Sequence, residues 1–436
     1  MNIQPPTLFS RARRGILMGA TVAAALLGGC KRHAEATGAT APLTQRGYLW
    51  QREWNPQVLD GAREADRQLD GVVLLGGEMV WDGGKPSLIR ASIPWESLAS
   101  LQHAPAIALR IAPFPGPFVR DDAAARLIVA TAKSLLDEAR QHGVEPSEFQ
   151  LDFDCAQKKL AGYGIWLREL RAAIQPMRFV ITTLPVWLGE PEFPVLLREV
   201  DGYVLQVHSV ATSGAGRDNR LCDPVLARRW VQTAAKLGRP FSIALPTYRC
   251  VAAFDPAGKL VGIAMDAGQP SWPAETRMLE FGADADEIAD LVKEWREKRP
   301  AGLQELLWYR VPVSTDSRNW RWPTLAAVIQ GRRPVQRFEV HLDAGNPVDL
   351  ALVNTGESDE PLDHAVRVTW SGPAPVASDA LAGWTIGMEP GFLTFTPQQG
   401  ARLRLVPGAR RGIGWLRFPQ PTGLHCSIIE PGEVSP

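Results

Sequence analysis

The stretch "EFQLDFDCAQ", residues 148–157, sets Asp152 and Asp154 two apart in a run that otherwise reads as a buried strand. Side chains alternate across a strand, so the two aspartates share one side and Leu151 and Phe153 the other. At strand spacing their Cα atoms lie roughly 6.5 Å apart. Like charges that close raise the pKa of one partner, so one carboxyl keeps a proton nearer neutrality than the other. Such a pair suits acid/base cleavage of a glycosidic bond, which uses two carboxyls about 5–5.5 Å or 6.5–9.5 Å apart. Asp154 is the candidate general acid/base, Asp152 its pKa-setting neighbour, and Glu78, at the end of an earlier strand, the second catalytic carboxylate. His208, Gln206, Arg110, Arg310, Trp308 and Tyr248 end other strands and are candidate substrate-binding residues. Trp187 and Trp54 sit just past strands, where a ring can stack on a sugar face, and Arg52 adds to the same rim. Each residue also has a purely structural reading: Asp152 as a buried anchor for Arg110 or Arg310, His208 as a hydrogen-bonded core histidine. The case for chemistry is their convergence.

That convergence depends on the elements that carry them. Eight apolar strand candidates run through 47–54, 71–81, 106–114, 149–154, 178–185, 202–209, 240–248 and 305–312. Between them lie stretches with apolar residues at helical spacing, such as 122–142, 158–174, 223–237 and 284–298, several opened by aspartate. Strands alternating with helices pair in parallel through right-handed crossovers. Eight such units predict an α/β fold, a (β/α)8 TIM-like barrel over residues 47–333. An open doubly wound sheet is the alternative, but no GxGxxG follows the first strand. Glu78, Asp152 with Asp154, Gln206 with His208, and Trp308 with Arg310 all fall on even-numbered strands, whose inward side chains share layers in such a barrel. Residues 249–283 exceed an ordinary loop and read as a β-hairpin inserted after strand seven. From 334 to 436 the pattern becomes short alternating segments punctuated by Gly, Pro and Asn, which predicts a small C-terminal antiparallel β-sandwich, read as a support for the barrel.

The N-terminus carries Arg11, Arg13 and Arg14, then an apolar run too short for a comfortable membrane span, ending "LLGGC" at Cys30. This resembles a lipobox, implying a signal peptide over 1–30, lipidation of Cys30 and a flexible tether over 31–46. "RRGIL" resembles the core of a twin-arginine signal, and Lys31 after the cysteine favours the outer membrane by resemblance to enteric lipoproteins. The expected location is therefore the cell envelope, with the membrane as a partner through the lipid anchor. Basic and acidic residues balance at 47 each, and removing residues 1–29, with three arginines and no acid, leaves a net charge of −3. No basic stripe points to nucleic acid. Neither a zinc spacing nor a dinucleotide motif is present, and no cofactor or metal is expected. Carboxylates with histidine (Asp152, Asp154, Glu78, His208) leave metal-assisted hydrolysis as a minor alternative. Fifteen tryptophans are consistent with stacking on a polysaccharide or oligosaccharide. Among the cysteines that follow Cys30, Cys222 and Cys250 trail successive strands and are the candidate disulfide pair.

"FQLDFDCAQKKLAGYGIWLRELR", "FVITTLPVWL" and "DGYVLQVHSV" resemble the bacterial family known as domain of unknown function 3142. The resemblance implies a barrel similar to those of glycoside hydrolases, without an established activity. The aspartates are also similar to the chitinase-like motif DxxDxDxE, with Asp152 and Asp154 at its second and third acidic positions. Phe149 stands at the first, and Ala156 where that motif has its catalytic glutamate, with Gln157 one residue further on. The expectation is thus a glycoside hydrolase whose partner carboxylate comes from another strand; the alternative is a non-catalytic carbohydrate-binding or structural envelope lipoprotein on a degenerate barrel.

Overall fold

The computed structural model describes residues 42–209, 219–265, 271–398 and 404–430; the expected signal peptide, Cys30 and residues 31–41 of the tether lie outside them. The first half of the barrel runs β1 (Thr44–Leu49), α1 (Pro56–Gln68), β2 (Val72–Asp82), β3 (Lys85–Arg90), α2 (Trp95–Leu98), β4 (Ala106–Ile111), α3 (Ala123–Gln141), β5 (Glu148–Phe153) and α4 (Leu160–Ile174). The second half runs β6 (Phe179–Thr183), α5 (Phe193–Leu196), β7 (Gly202–Gln206), α6 (Pro224–Ala235), β8 (Phe241–Pro246), an insertion of β9 (Arg249–Phe254), β10 (Leu260–Ala264) and β11 (Arg277–Gly282), then α7 (Ala285–Glu297), β12 (Leu303–Tyr309) and α8 (Trp322–Ile329).

Strands β1, β12, β8, β7, β6, β5, β4 and β2 pair in that order, and β2 pairs back onto β1, all in parallel. The (β/α)8 barrel is closed. Outward residues such as Leu74, Leu109, Leu151, Ile181, Leu205 and Ile243 pack with the helices in the main core. Inward residues Tyr48, Ala108, Val180, Val204, Ala244 and Leu307 form a separate interior cluster. Each large apolar side chain so buried contributes about 1.5–3 kcal/mol.

Helix starts follow local chemistry. Asn55, Asp122, Asp223 and Asp284 each accept backbone N–H bonds at the first turns of α1, α3, α6 and α7, and proline opens α1 and α6. Three details differ from expectation. β1 begins at Thr44 with Leu43 already buried, inside the span read as tether. β3 adds an antiparallel strand against β2, in a span to which the sequence reading assigned no element. The insertion is not a hairpin but a three-stranded antiparallel sheet with β9 in its centre. Its apolar face, built on Cys250, Ala252, Phe254 and Phe281, needs a third strand to be covered.

The C-terminal region holds two four-stranded antiparallel sheets, one starting at Phe338–Asp343, the other ending at Gly423–Ile429. Leu350, Leu352 and Ile413 from one sheet meet Val366, Val368 and Phe395 from the other in a shared core, which makes this a β-sandwich. It is tied to the barrel by polar contacts: Thr324 Oγ1 donates to the Glu357 carbonyl at 2.5 Å, and Arg332 pairs with the Glu357 carboxylate at 2.6 and 2.8 Å. Asp359 reaches Arg249, at the start of the inserted sheet, at 2.5 Å. Asp359 is 8% exposed, so its loss removes the nearer partner of Arg249 at a mostly buried junction and leaves that guanidinium with Glu280 at 3.3 Å. Asp359→Ala is expected to cost about 3 kcal/mol, seen as a lower urea midpoint; an unchanged midpoint would show the junction to be solvated.

Candidate active site

At the C-terminal end of the barrel, a cavity of about 250 Å³ opens between Asp152, Asp154, Arg110, Gln206, His208 and a group of aromatic rings. Asp152 faces it from β5 and Asp154 from the residue just past that strand, while Leu151 and Phe153 point into the outer core. Asp152 is 4% exposed and fully engaged. Arg110 Nη1 donates to its Oδ2 at 2.7 Å, Thr182 Oγ1 to its Oδ1 at 2.6 Å, and Gln206 Nε2 reaches Oδ1 at 3.5 Å. Asp154 is freer: its side chain is 46% exposed and Arg110 Nη2 stands 3.8 Å away. Burial and the neighbouring Asp152 push the Asp154 pKa up, with Arg110 opposing.

Glu78 arrives by a device that alternation does not contain. Leu75 pairs with Ala108 but Gly77 with Leu109, so Gly76 is an extra residue, a β-bulge. Leu74 and Met79 both belong to the outer core although they are five positions apart, and Glu78 is thereby turned to the inner side, level with Arg110. Glycine serves there because a Cβ on residue 76 would come within 2.6 Å of Leu135. Glu78 ion-pairs with Arg52. Burial opposes the charge on Arg110, but Asp152, Tyr309, Asp154 and Glu78 together hold its pKa above the ordinary value.

His208 hydrogen-bonds through Nδ1 to the Ala244 carbonyl at 3.2 Å and stacks on Tyr309, ring centroids 5.9 Å apart. Burial lowers its pKa from 6.5 to about 4, despite the Ala244 carbonyl and Asp152. The imidazole is therefore neutral in the folded protein. Because the folded value lies below the unfolded one, its contribution is complete above pH 6.5 and is lost as pH falls through about 4. That loss amounts to about 3 kcal/mol. His208→Asn is expected to flatten the fall in melting temperature across this window; an identical acid limb would remove His208 as its cause.

Several expected site residues lie elsewhere. Trp308 is fully buried in the outer core and donates Nε1–H to Gln45 Oε1 at 3.1 Å. Arg310 is 8% exposed, pairs with Asp316 at 3.1 Å and is not among the residues that line the cavity. The inward residues of β12 are instead Leu307 and Tyr309, one position out of step with the expected pair. Trp187 is fully buried, donating to the Cys155 carbonyl at 3.0 Å, and Trp54 packs against the outer core, so neither offers the sugar platform expected. Tyr248 does line the cavity. Sequence reasoning missed Tyr48, Trp50, Thr182 and Tyr309; the in-out phase of each strand, taken from its polar residues, could have found Thr182. Cys222 and Cys250 are free thiols in separate apolar clusters rather than a disulfide. Among the described residues, no group of three or more His, Cys, Asp or Glu comes together to hold a metal.

Residues 109–314, from the third barrel strand to just past the eighth, match the model of Domain of unknown function (DUF3142). Residues 339–419, in the sandwich, match a second, Domain of unknown function (DUF8456). No curated protein matches the chain. Among solved structures, the Bacillus cereus spore cortex-lytic enzyme SleL is similar at 13% identity and TM-score 0.46, covering 67% of this chain and 74% of that one. A chitinase from Chromobacterium violaceum is similar at 12% identity and TM-score 0.45, covering 66% of this chain and 98% of its own. A chitinase from Rhizomucor miehei has 13% identity and TM-score 0.44, with coverages of 66% and 99%.

Proposed function

We propose that this protein is an exported, lipid-anchored envelope protein whose barrel cleaves a polysaccharide. The observation that carries the reading is the meeting of three carboxylates, Asp152, Asp154 and Glu78, around Arg110 at the mouth of an aromatic-walled cavity. Asp154 has the properties of a general acid/base: it reaches solvent, and burial with Asp152 raises its pKa. Asp152, immobilised by Arg110 and Thr182, sets that environment and fixes Arg110. Glu78 is the second carboxylate, and the rings of Trp50 and Tyr309 hold the sugar face. Anchoring rests on "LLGGC" and the arginines before it, and the cell envelope, by Lys31 the outer membrane, is the proposed location.

A second reading has its own support. Ala156, where the chitinase-like motif has its glutamate, is solvent-exposed and carries no proton donor, and the neighbouring Gln157 is engaged with Glu190 at 2.6 Å. On that reading the barrel binds glycan without turnover. Incubating the protein with a panel of bacterial exopolysaccharides and wall glycans separates the two. Release of new reducing ends supports cleavage; saturable binding with no release supports the binding lipoprotein.

A further inference from the structure

We propose that the cavity takes an amino sugar with a free, protonated amine, such as a glucosamine unit of a de-N-acetylated polysaccharide. This rests on the reading of the cavity as a sugar site. Among the described residues that line it, the charged side chains are Arg110, Asp152 and Asp154. Arg110 and Asp152 neutralise each other at 2.7 Å, so among the described lining residues Asp154, half exposed and 3.8 Å from that same guanidinium, leaves one net negative charge. Glu78 and Arg52 at the rim likewise cancel. His208 adds no positive charge near neutral pH.

The walls around that charge are aromatic. Tyr309 lies at the centre, with Trp50 at 5.6 Å, Tyr48 at 5.8 Å and Tyr248 at 5.6 Å between ring centroids. Aromatic faces carry partial negative charge and attract cations, most strongly where water is excluded. A carboxylate facing such rings is complementary to an ammonium group, which is donor-only and positive. A neutral N-acetyl group gains nothing from the charge. At about 250 Å³ the cavity suits a single ring rather than a long segment, so recognition falls on one unit of the chain.

The test is calorimetric titration at pH 6 of full-length protein with two probes, a tetramer of β-1,4-linked glucosamine and its fully N-acetylated counterpart. The glucosamine tetramer is expected to bind about tenfold tighter or more. Asp154→Asn, close in size to the native residue, should erase that preference. Trp50→Phe, which keeps a ring, should retain most of the preference, and Trp50→Leu should lose it. Equal or tighter binding of the N-acetylated tetramer overturns the proposal, as does binding of neither or a preference that survives Asp154→Asn. Preferential binding without cleavage would overturn the hydrolytic reading and leave this one standing. Cleavage with no preference for the amine would do the reverse.

Discussion

Asp154→Asn is expected to lower glycan cleavage by about three orders of magnitude while shifting stability by less than about 0.5 kcal/mol. Asparagine keeps the size and much of the hydrogen bonding of aspartate but cannot exchange a proton in the reaction. The side chain is half exposed and only loosely held by Arg110, so little folding energy depends on its charge. The contrast with Asp152 sharpens the expectation. That carboxylate is buried and bound by Arg110 and Thr182, so its replacement should cost stability as well as rate. Rates with the best substrate of the polysaccharide panel, beside urea denaturation of both variants, give the answer. An Asp154→Asn protein with native turnover would end the acid/base assignment.

The largest expected stability effect lies at the opposite end of the barrel. Arg46 is buried between two carboxylates, donating to Glu305 Oε2 at 2.9 Å and to Glu148 Oε1 at 3.0 Å. Glu148 also accepts from Arg178 and Gln150, each at 2.7 Å, and Ser242 donates to Glu305 at 3.0 Å. Arg46→Met keeps an unbranched apolar stem but removes the guanidinium, leaving two buried carboxylates without it. The expected loss is about 3–5 kcal/mol. Its pH dependence follows from Glu148: burial raises that pKa, but Arg46, Gln150 and Arg178 outweigh burial and hold it below the ordinary value. A lowered folded pKa contributes stability above the unfolded value, about 4.3, and loses it as pH falls through the folded one. The deficit of Arg46→Met should therefore be greatest near neutrality and shrink in acid. Urea midpoints at pH 7 and pH 4 check this, and a pH-independent deficit would point to packing rather than charge.

Much of the barrel was legible because its physics is local. Strands β1, β2, β4, β5, β6, β7, β8 and β12 fall within the eight apolar segments read from the sequence or a few residues from them. Aspartates ahead of apolar periodicity marked α3 and α7, since a carboxylate that caps the first turn meets orphan N–H groups wherever it stands. The inward phase of Asp152 and Asp154 was legible too, because Leu151 and Phe153 could only belong to the core.

Strand β12 shows where such reading stops. Strands of a parallel barrel are buried on both faces, and in the run Leu303–Tyr309 the adjacent Gln304 and Glu305 put one polar residue on each side, so polarity does not give its phase away. Trp308 and Arg310 looked like site residues, yet only the registers with β1 and β8 decide that Tyr309 faces the cavity. Trp187 misled for a related reason: an aromatic residue just past a strand serves equally as sugar platform or core, and packing around Phe193 and Tyr163 makes it core.

The sequence alone determined that strands and helices alternate, that a β-rich unit follows, and that two aspartates end one strand on the same side. Those properties depend on alternation, capping and turn chemistry over a few residues. The tertiary structure alone decided which residues those aspartates meet. The bulge at Gly76 reverses the phase of β2 and carries Glu78 to Arg110, and α3 packs close enough there that a Cβ would meet Leu135 at 2.6 Å. Closure of the barrel then brings Tyr48, Trp50 and Tyr309, from the first strand and the last, into one wall. Contacts between distant segments are set by register and packing, which no local pattern encodes.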